Sequence, residues 1–331
     1  MNLSRFDDVD PRLFAHKLSS AEQRELFSKY VHDITLEPFD YCNRKCPYCP
    51  VALIDRRSSV KLMAREHLDK ILDDLRSIDF VGSICLNLFN EPMAHESTYE
   101  VAAECQTALP KASVWFNTNG DYINRKSVER LAKLGLKRIV VTLHTTSEHP
   151  YTDDIQRKRI AQFTARTGVA LHVDRFRPGI DMRLSGSFKG MKITMKSVNY
   201  LKHGVNRGGA MKQIPVVLDR ETPCDRPFHD LTIAWNGNVY PCCQFVEGFA
   251  DHSQYVVGNV GNAPSIFALY CDKMMVSFRR DLFGYGRKQA PCSSCADQSK
   301  CRGERDRHRR LELSAAWCQD DQIEHADYFG S

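Results

Sequence analysis

Three cysteines fall within eight residues, Cys42-Asn-Arg-Lys-Cys46-Pro-Tyr-Cys49. Thiolate is the usual ligand of iron–sulfur clusters, and three thiolates from one tight loop can hold three irons of a 4Fe–4S cube. The C-x3-C-x2-C spacing leaves the fourth iron without a protein ligand, and an open iron is a place for chemistry. Zinc prefers four ligands in pairs, and this loop supplies three. A bacterial ferredoxin run needs a fourth cysteine followed by proline; here Pro50 follows Cys49, and the next cysteine is Cys85. The triplet favours an open cluster over either alternative.

A second cysteine set lies near the end. Cys224, twelve residues, Gly237, four residues and Cys242 are followed by Gly258-Asn259-Val260 and by Cys292-Ser-Ser-Cys295. The segment between Cys224 and Cys242 reads as a hairpin that brings the two thiols together, and the later pair returns to meet them. Four thiolates can close around one cluster. A zinc ribbon is the competing arrangement, but ribbons use two close C-x2-C knuckles, and the first pair here is separated by seventeen residues. The chain has thirteen cysteines, an odd number, and is too large to need covalent staples, so a disulfide framework explains them poorly.

The elements that must position these loops alternate between strand and helix. A strand at 34–36 runs into the first cysteine loop. Leu68, Ile71, Leu72, Leu75 and Ile78 follow helical spacing. Further strands are predicted at 84–88, 113–117, 138–143 and 169–174, with another around 192–195. Helices are predicted at 97–109, opened by a Ser97/Glu100 capping box, and at 128–134 and 153–166. Each early strand ends in polar residues: Asn90-Glu91-Pro92, Asn117-Thr118-Asn119, then Thr142 and His144. Repeated β–α units imply parallel strands whose C-terminal rim carries the chemistry. Residues 178–215 are glycine-rich and read as irregular. Asn236-Gly237 between two short strands is a hairpin signal, and a helix follows from about Pro264 to Asp281.

With Tyr48 before its third cysteine, the triplet resembles the signature of the radical S-adenosylmethionine (SAM) superfamily. The resemblance implies a partial (β/α)6 TIM-like barrel, an α/β fold, over residues 33–205, preceded by a helical extension at 1–32. Cys42, Cys46 and Cys49 would hold a SAM-cleaving 4Fe–4S cluster whose open iron is chelated by SAM. One electron would then release a 5′-deoxyadenosyl radical that abstracts hydrogen from substrate. The Tyr48 backbone would lie against the adenine. Asn90-Glu91-Pro92 looks like the family's Gly-Gly-Glu-Pro segment, with Phe89-Asn90 in place of the glycines, and would gather the SAM ammonium. Asn117, Thr118, Asn119, Thr142 and His144 would contact SAM from the next strand ends, and Arg175 would reach its carboxylate. A reductase or flavodoxin-type protein would donate the electron.

The later cysteines resemble a SPASM or shorter "twitch" domain, a small α+β unit over 206–331 with a β-hairpin. Cys224, Cys242, Cys292 and Cys295 would bind an auxiliary 4Fe–4S cluster. Cys301 continues the pattern of a two-cluster domain, but Arg305 stands where another ligand is required, leaving Cys301 and Cys318 as reserve ligands or buried thiols. The resemblance implies an oxidoreductase or epimerase acting on a small polar, sugar- or aminocyclitol-like substrate; in an epimerase, Cys243 would be the thiol that returns hydrogen. A peptide- or protein-modifying enzyme is the second reading, although 1–32 is short for a leader-peptide recognition domain.

Charge and hydropathy are those expected of a soluble globular protein. The net charge is +5, hydrophobic residues make up 42% and charged residues 26%, as in ordinary globular proteins. No apolar run nears the roughly 20 residues that span a bilayer, and the acidic beginning, MNLSRFDDVDPRLF, lacks a secretory core. A cytoplasmic location is the expectation. Arg302, Arg305, Arg307, Arg309 and Arg310 would suit a cluster-containing nucleic-acid-binding protein, a third reading. Their interleaving with Glu304 and Asp306 fits a solvated helix face better.

Overall fold

The computed structural model describes residues 9–146, 150–214, 220–297, 310, 312 and 313. Helix α1 (Ser20–Tyr30) opens on a capping box, with Ser19 and Glu22 bonding each other's backbone N–H. Then follow β1 (Asp33–Leu36), α2 (Arg65–Ser77), β2 (Ser83–Cys85), α3 (Ser97–Ala108), β3 (Ser113–Thr118), α4 (Arg125–Lys133), β4 (Arg138–Thr142) and α5 (Asp153–Thr167). Three strands come next, β5 (His172–Arg177), β6 (Asp181–Phe188) and β7 (Met191–Val198), and after them single turns α6 (Tyr200–His203) and α7 (Arg226–His229). The chain continues through β8 (Asp230–Ile233), β9 (Asn238–Tyr240), β10 (Gly258–Asn259), α8 (Ile266–Tyr270) and α9 (Lys273–Phe283).

All these strands join one sheet in the order β10-β9-β8-β1-β2-β3-β4-β7-β6-β5. The run β8-β1-β2-β3-β4-β7 is parallel throughout, which makes an open, six-stranded partial barrel. Antiparallel strands extend it on both sides, β9 and β10 at one edge and β6 and β5 at the other. Strand residues alternate between two faces. Ile34, Ile84, Val114, Phe116, Ile139, Val141, Ile193, Leu231 and Ile233 are buried in the main hydrophobic core with Leu68, Ile71, Leu72 and Leu75 of α2. Each such side chain contributes about 1.5–3 kcal/mol. The intervening Thr35, Cys85, Asn117, Thr142, Lys196 and Asp230 point the other way, into a cavity. Barrel interiors are ordinarily filled with branched apolar residues, so this polar lining marks a binding site.

Several local expectations are corrected. The strand expected at 169–174 is β5, an antiparallel edge strand exposed along its length. The segment read as irregular holds β6 and β7, the longest strands. They are joined by Lys189-Gly190, both at positive φ (46° and 83°), the conformation of a two-residue type I′ turn that asparagine or glycine usually announces. Gly186 lies where β6 passes so close to the Ala170 carbonyl that no Cβ fits. The helix expected at 264–281 breaks in two, and Asp272 caps the second part through the Met274 N–H (2.8 Å). Ser97 starts no capping box: it lies inside the first turn of α3 with its Oγ 3.0 Å from His95 Nδ1. The Asn236-Gly237 hairpin forms as β8–β9, but β8 also pairs with β1, so this late segment completes the partial barrel. Cys301, Arg302, Arg305, Arg307, Arg309 and Cys318 lie outside the described residues. Arg310 is buried, bonding the Phe283 carbonyl and Asp225, unlike a solvated-face arginine.

Candidate active site

The first cysteine loop leaves β1 at the C-terminal rim and is tied down at both ends. Glu37, at its start, is fully buried and pairs with Arg56 at 2.6 Å while accepting from the Phe89 N–H. The Arg56 carbonyl in turn accepts from the Cys42 N–H at 3.0 Å. Inside the loop, Arg44 and Asn43 both grip Asp121 (2.5 and 2.8 Å), and Asn119 donates to Asn43 at 2.7 Å. The loop is therefore clamped to the end of β3. Cys42, Cys46 and Cys49 face a cavity of about 600 Å³.

The strand ends close around that cavity. After β2, Glu91 is buried and accepts from Thr118 Oγ1 (2.5 Å), the Asn119 N–H (2.6 Å) and the Met93 N–H (3.1 Å). Burial nevertheless dominates, and its carboxyl is pushed up to about 7. A buried carboxylate with that bias is prepared for a cation. Beside it, Asn90 Oδ1 accepts from the Leu88 N–H, whereas its Nδ2 is buried and unbonded, a donor left for an acceptor from outside the chain. Pro92 opens a 3-10 turn behind Glu91 and does not line the cavity.

Across the cavity, Tyr48 of the cysteine loop, His144 after β4 and Tyr200 form a stack, with ring centres 4.9–6.0 Å apart and planes within 30°. The Tyr48 hydroxyl accepts from the Thr145 N–H (3.0 Å) and lies 2.9 Å from His144 Nδ1. Burial, helped by Arg44 and Arg159, pushes His144 down to about 3, so the ring is neutral and shares one hydrogen bond with the tyrosine hydroxyl. Asn117 bonds Asn87 through its N–H (2.7 Å), and Thr142 and Asn119 complete this wall.

The two cysteine sets have the donor chemistry of iron–sulfur sites. Burial pushes Cys42 up to about 12 and Cys46 to about 11; Glu91 and the other two cysteines add to the effect at Cys42, and Cys49 adds to it at Cys46. Such thiols stay protonated unless a metal ion binds and displaces the proton. Cys224, Cys242, Cys292 and Cys295 converge on a second, small cavity walled by Phe245, Phe278 and Leu282; burial raises all four thiols. Among the described residues no three His, Cys, Asp or Glu side chains approach closely enough to share one metal ion, whereas a cube takes each thiolate on a separate corner. Three soft donors in the first cavity and four in the second fit such cubes. Arg226 and Gln244 belong to both cavity walls, and Cys242 faces the second while its neighbour Cys243 faces the first.

Arg175 does not join the site. It projects from the exposed edge strand β5 and bonds Asp181 (2.8 Å), which also holds Arg177. The parallel strand expected there is β7, whose Lys196 lines the cavity instead. Tyr200, Arg226, Asp230 and Cys85 are cavity residues that motif reading missed. Only an aromatic in a glycine-rich stretch and the polar face of β8 hinted at them.

Two family models match this chain, the radical SAM superfamily over residues 36–168 and the SPASM iron–sulfur cluster-binding domain over 224–297. The chain is a radical SAM enzyme. Its C-terminal part is a SPASM domain, and its cofactors are a SAM-cleaving 4Fe–4S cluster, an auxiliary 4Fe–4S cluster and SAM. The S-adenosyl-L-methionine-dependent 2-deoxy-scyllo-inosamine dehydrogenase of Niallia circulans is 27% identical to the enzyme over 272 residues, 80% of this chain and 93% of that one. The crystal structure of BtrN in complex with AdoMet and 2-DOIA superposes with a TM-score of 0.57 at 23% identity, covering 76% of the enzyme and 87% of BtrN. That likeness shows the fold. Among the described residues no helix of the enzyme is long and apolar enough to cross a membrane.

Proposed function

We propose that the enzyme oxidises an alcohol of a small polyol-like substrate, in the manner of an aminocyclitol dehydrogenase. The observation that carries this reading is the shared wall: Cys242 and Cys243 are consecutive, yet they face the auxiliary-cluster cavity and the main cavity respectively. When bound, the first cluster supplies the electron that splits SAM, and the second offers a nearby acceptor for the electron left after hydrogen abstraction. In this reading Cys42, Cys46 and Cys49 hold the first cluster, and Cys224, Cys242, Cys292 and Cys295 the second. Glu91 takes the SAM ammonium, the free Asn90 donor takes its carboxylate, and the Tyr48–His144–Tyr200 stack orders the adenine side. Arg226 holds Asp230 at 2.9 Å and spans the wall between the cavities. Asp230 is a carboxylate placed to receive the hydroxyl proton, and burial lifts it to about 6. A flavodoxin-type protein provides electrons from outside.

Glu91→Gln keeps the size of the side chain and removes the charge. SAM affinity is expected to fall about tenfold to hundredfold, the range of a lost charged hydrogen bond of about 1.5–3 kcal/mol. An ammonium prefers the ionised carboxylate, and the carboxyl of free Glu91 is protonated below about 7. SAM affinity of the wild type should therefore rise with pH through that value, and the Glu91→Gln profile should be flatter. Calorimetric titration of reconstituted enzyme at several pH values reads both. A steep profile surviving in Glu91→Gln would remove Glu91 from the ammonium site.

Cys243 favours epimerisation as a second reading, since its thiol faces the cavity and burial keeps it as S–H, the form that can return a hydrogen atom. Incubation with SAM, dithionite and 2-deoxy-scyllo-inosamine in deuterated water separates the two. A ketone formed one-for-one with 5′-deoxyadenosine, and retained in Cys243→Ala, is expected. An epimer carrying solvent deuterium, lost in Cys243→Ala, would replace oxidation with epimerisation.

A further inference from the structure

The wall of the cavity opposite β1 is cationic and uncompensated. Lys196 lies near the C-terminal end of β7, beside its register partner Thr142 of β4, and lines the main cavity half-buried. Arg183 is its partner on β6, and Arg138 of β4 and the Cys85 thiol of β2 also act on it electrostatically. Arg138 lies over the Trp115 ring at 3.8 Å from its centre, with Nε buried and unbonded, and Trp115 also lines the cavity. Among the described residues no carboxylate pairs with Lys196, Arg183 or Arg138. By contrast, Arg44 and Arg226 in the same cavity hold Asp121, and Asp230 with Asp297. Three cations on adjacent strands repel one another, and partial burial of an unpaired ammonium adds a desolvation cost. An anion arriving in the cavity offsets both.

The geometry points to a substrate that carries an oxyanion, a carboxylate or a phosphate, with Lys196 as its counter-ion. This rests on the proposed oxidation of a polyol-like substrate and narrows its class: one end presents the alcohol toward the cysteine loop, and the other presents its anion to β7. Lys196 acts as a specificity-determining residue. A lysine retained as a proton acceptor would need similar burial, but arginine could not replace it, whereas arginine can replace a counter-ion.

Calorimetric titration of the reconstituted enzyme with SAM bound and no reductant tests the inference. Three probes separate the chemistries: glucosamine without an anion, glucuronate with a carboxylate, and glucosamine 6-phosphate with a phosphate. At least one anionic probe is expected to bind about tenfold tighter than glucosamine, and the tighter of the two identifies the oxyanion. Lys196→Met should erase that preference, and Lys196→Arg should keep it within about threefold. Iron content and thermal melting of both variants report whether each is folded and loaded. Equal or tighter binding of glucosamine, no binding by either anionic probe, survival of the preference in Lys196→Met, or its loss in folded Lys196→Arg would each overturn the assignment. A wild type that forms no 5′-deoxyadenosine with SAM and dithionite defeats the proposed reaction and leaves the binding preference as measured. Intact SAM cleavage without the preference defeats only the oxyanion.

Discussion

Cys46→Ala enzyme, reconstituted anaerobically and supplied with SAM and dithionite, is expected to form no 5′-deoxyadenosine, a loss greater than a hundredfold. The argument is one of ligand count. The loop offers three thiols and leaves one iron free, so removing a thiol deprives the cube of a corner that nothing nearby replaces. Among the described residues the other thiols lining the cavity are Cys85, which lies on β2 and bonds Asn87, and Cys243, which stands at the wall shared with the second cysteine set. Displacing even an outer-shell partner of a metal site costs about ten- to hundredfold, and loss of a direct ligand costs more. Unfolding would mimic this result, but the loop does not depend on Cys46 for its shape. Glu37–Arg56 and Arg44–Asp121 hold it from both sides, and Cys46 packs only in a small cluster with Tyr48, Met211 and Ile214. Melting should therefore shift by only a few degrees, the scale of about 1 kcal/mol in a chain of this size. Iron should fall from about eight to about four per chain, because the four auxiliary thiols are untouched. SAM cleavage persisting in Cys46→Ala would remove the cluster from this loop and with it the proposed reaction.

What could be seen from sequence was what is local. The cysteine triplet is a spacing within one turn of chain, and Asn90-Glu91, Asn117–Asn119 and His144 directly follow strands whose apolar alternation is plain. The structure brings all of them to one cavity. Pairing between distant segments left no such trace. Nothing near Leu231 announces that β8 runs parallel to β1 and supplies Asp230 to the cavity. The β6–β7 hairpin was hidden because its turn is Lys189-Gly190, not asparagine-glycine, and because Gly186 interrupts the strand pattern for a packing reason against Ala170. That one misreading put Arg175 in the site: once β5 is taken for the fifth parallel strand, its end is expected at the rim, whereas the parallel strand there is β7 and the residue lining the cavity is Lys196. Tyr200 was lost with it, since it begins a single turn directly after β7.

Cys242→Ala separates the two clusters and is expected to give the opposite phenotype to Cys46→Ala: 5′-deoxyadenosine still forms, while oxidised product falls by about a hundredfold or more. The side chain is one of four thiols around the second cavity, where burial and the adjacent Cys243 and Cys292 make an unliganded thiolate unfavourable. With three thiols left, one iron of the auxiliary cube loses its protein ligand; iron at about eight per chain would mean an opened cube and iron at about four a lost one, and either disables the acceptor. SAM binding should hold, since Glu91, Asn90 and the Tyr48–His144–Tyr200 stack lie on the other side of the wall formed by Arg226 and Gln244. That wall is cross-braced, with Arg226 and Gln244 both bonding Asp297 (2.8 and 2.9 Å) and Arg220 bonding the Asp297 carbonyl (2.8 Å), so loss of one thiol need not collapse the main cavity. Uncoupling is then the diagnostic result: cleavage per chain stays near the wild-type value while product per cleavage falls. Should product and cleavage fall in parallel, the second cluster would be structural. Should product survive undiminished in enzyme shown to hold only four irons, the electron would leave by another route, and the adjacency of Cys242 to Cys243 would lose the meaning given to it.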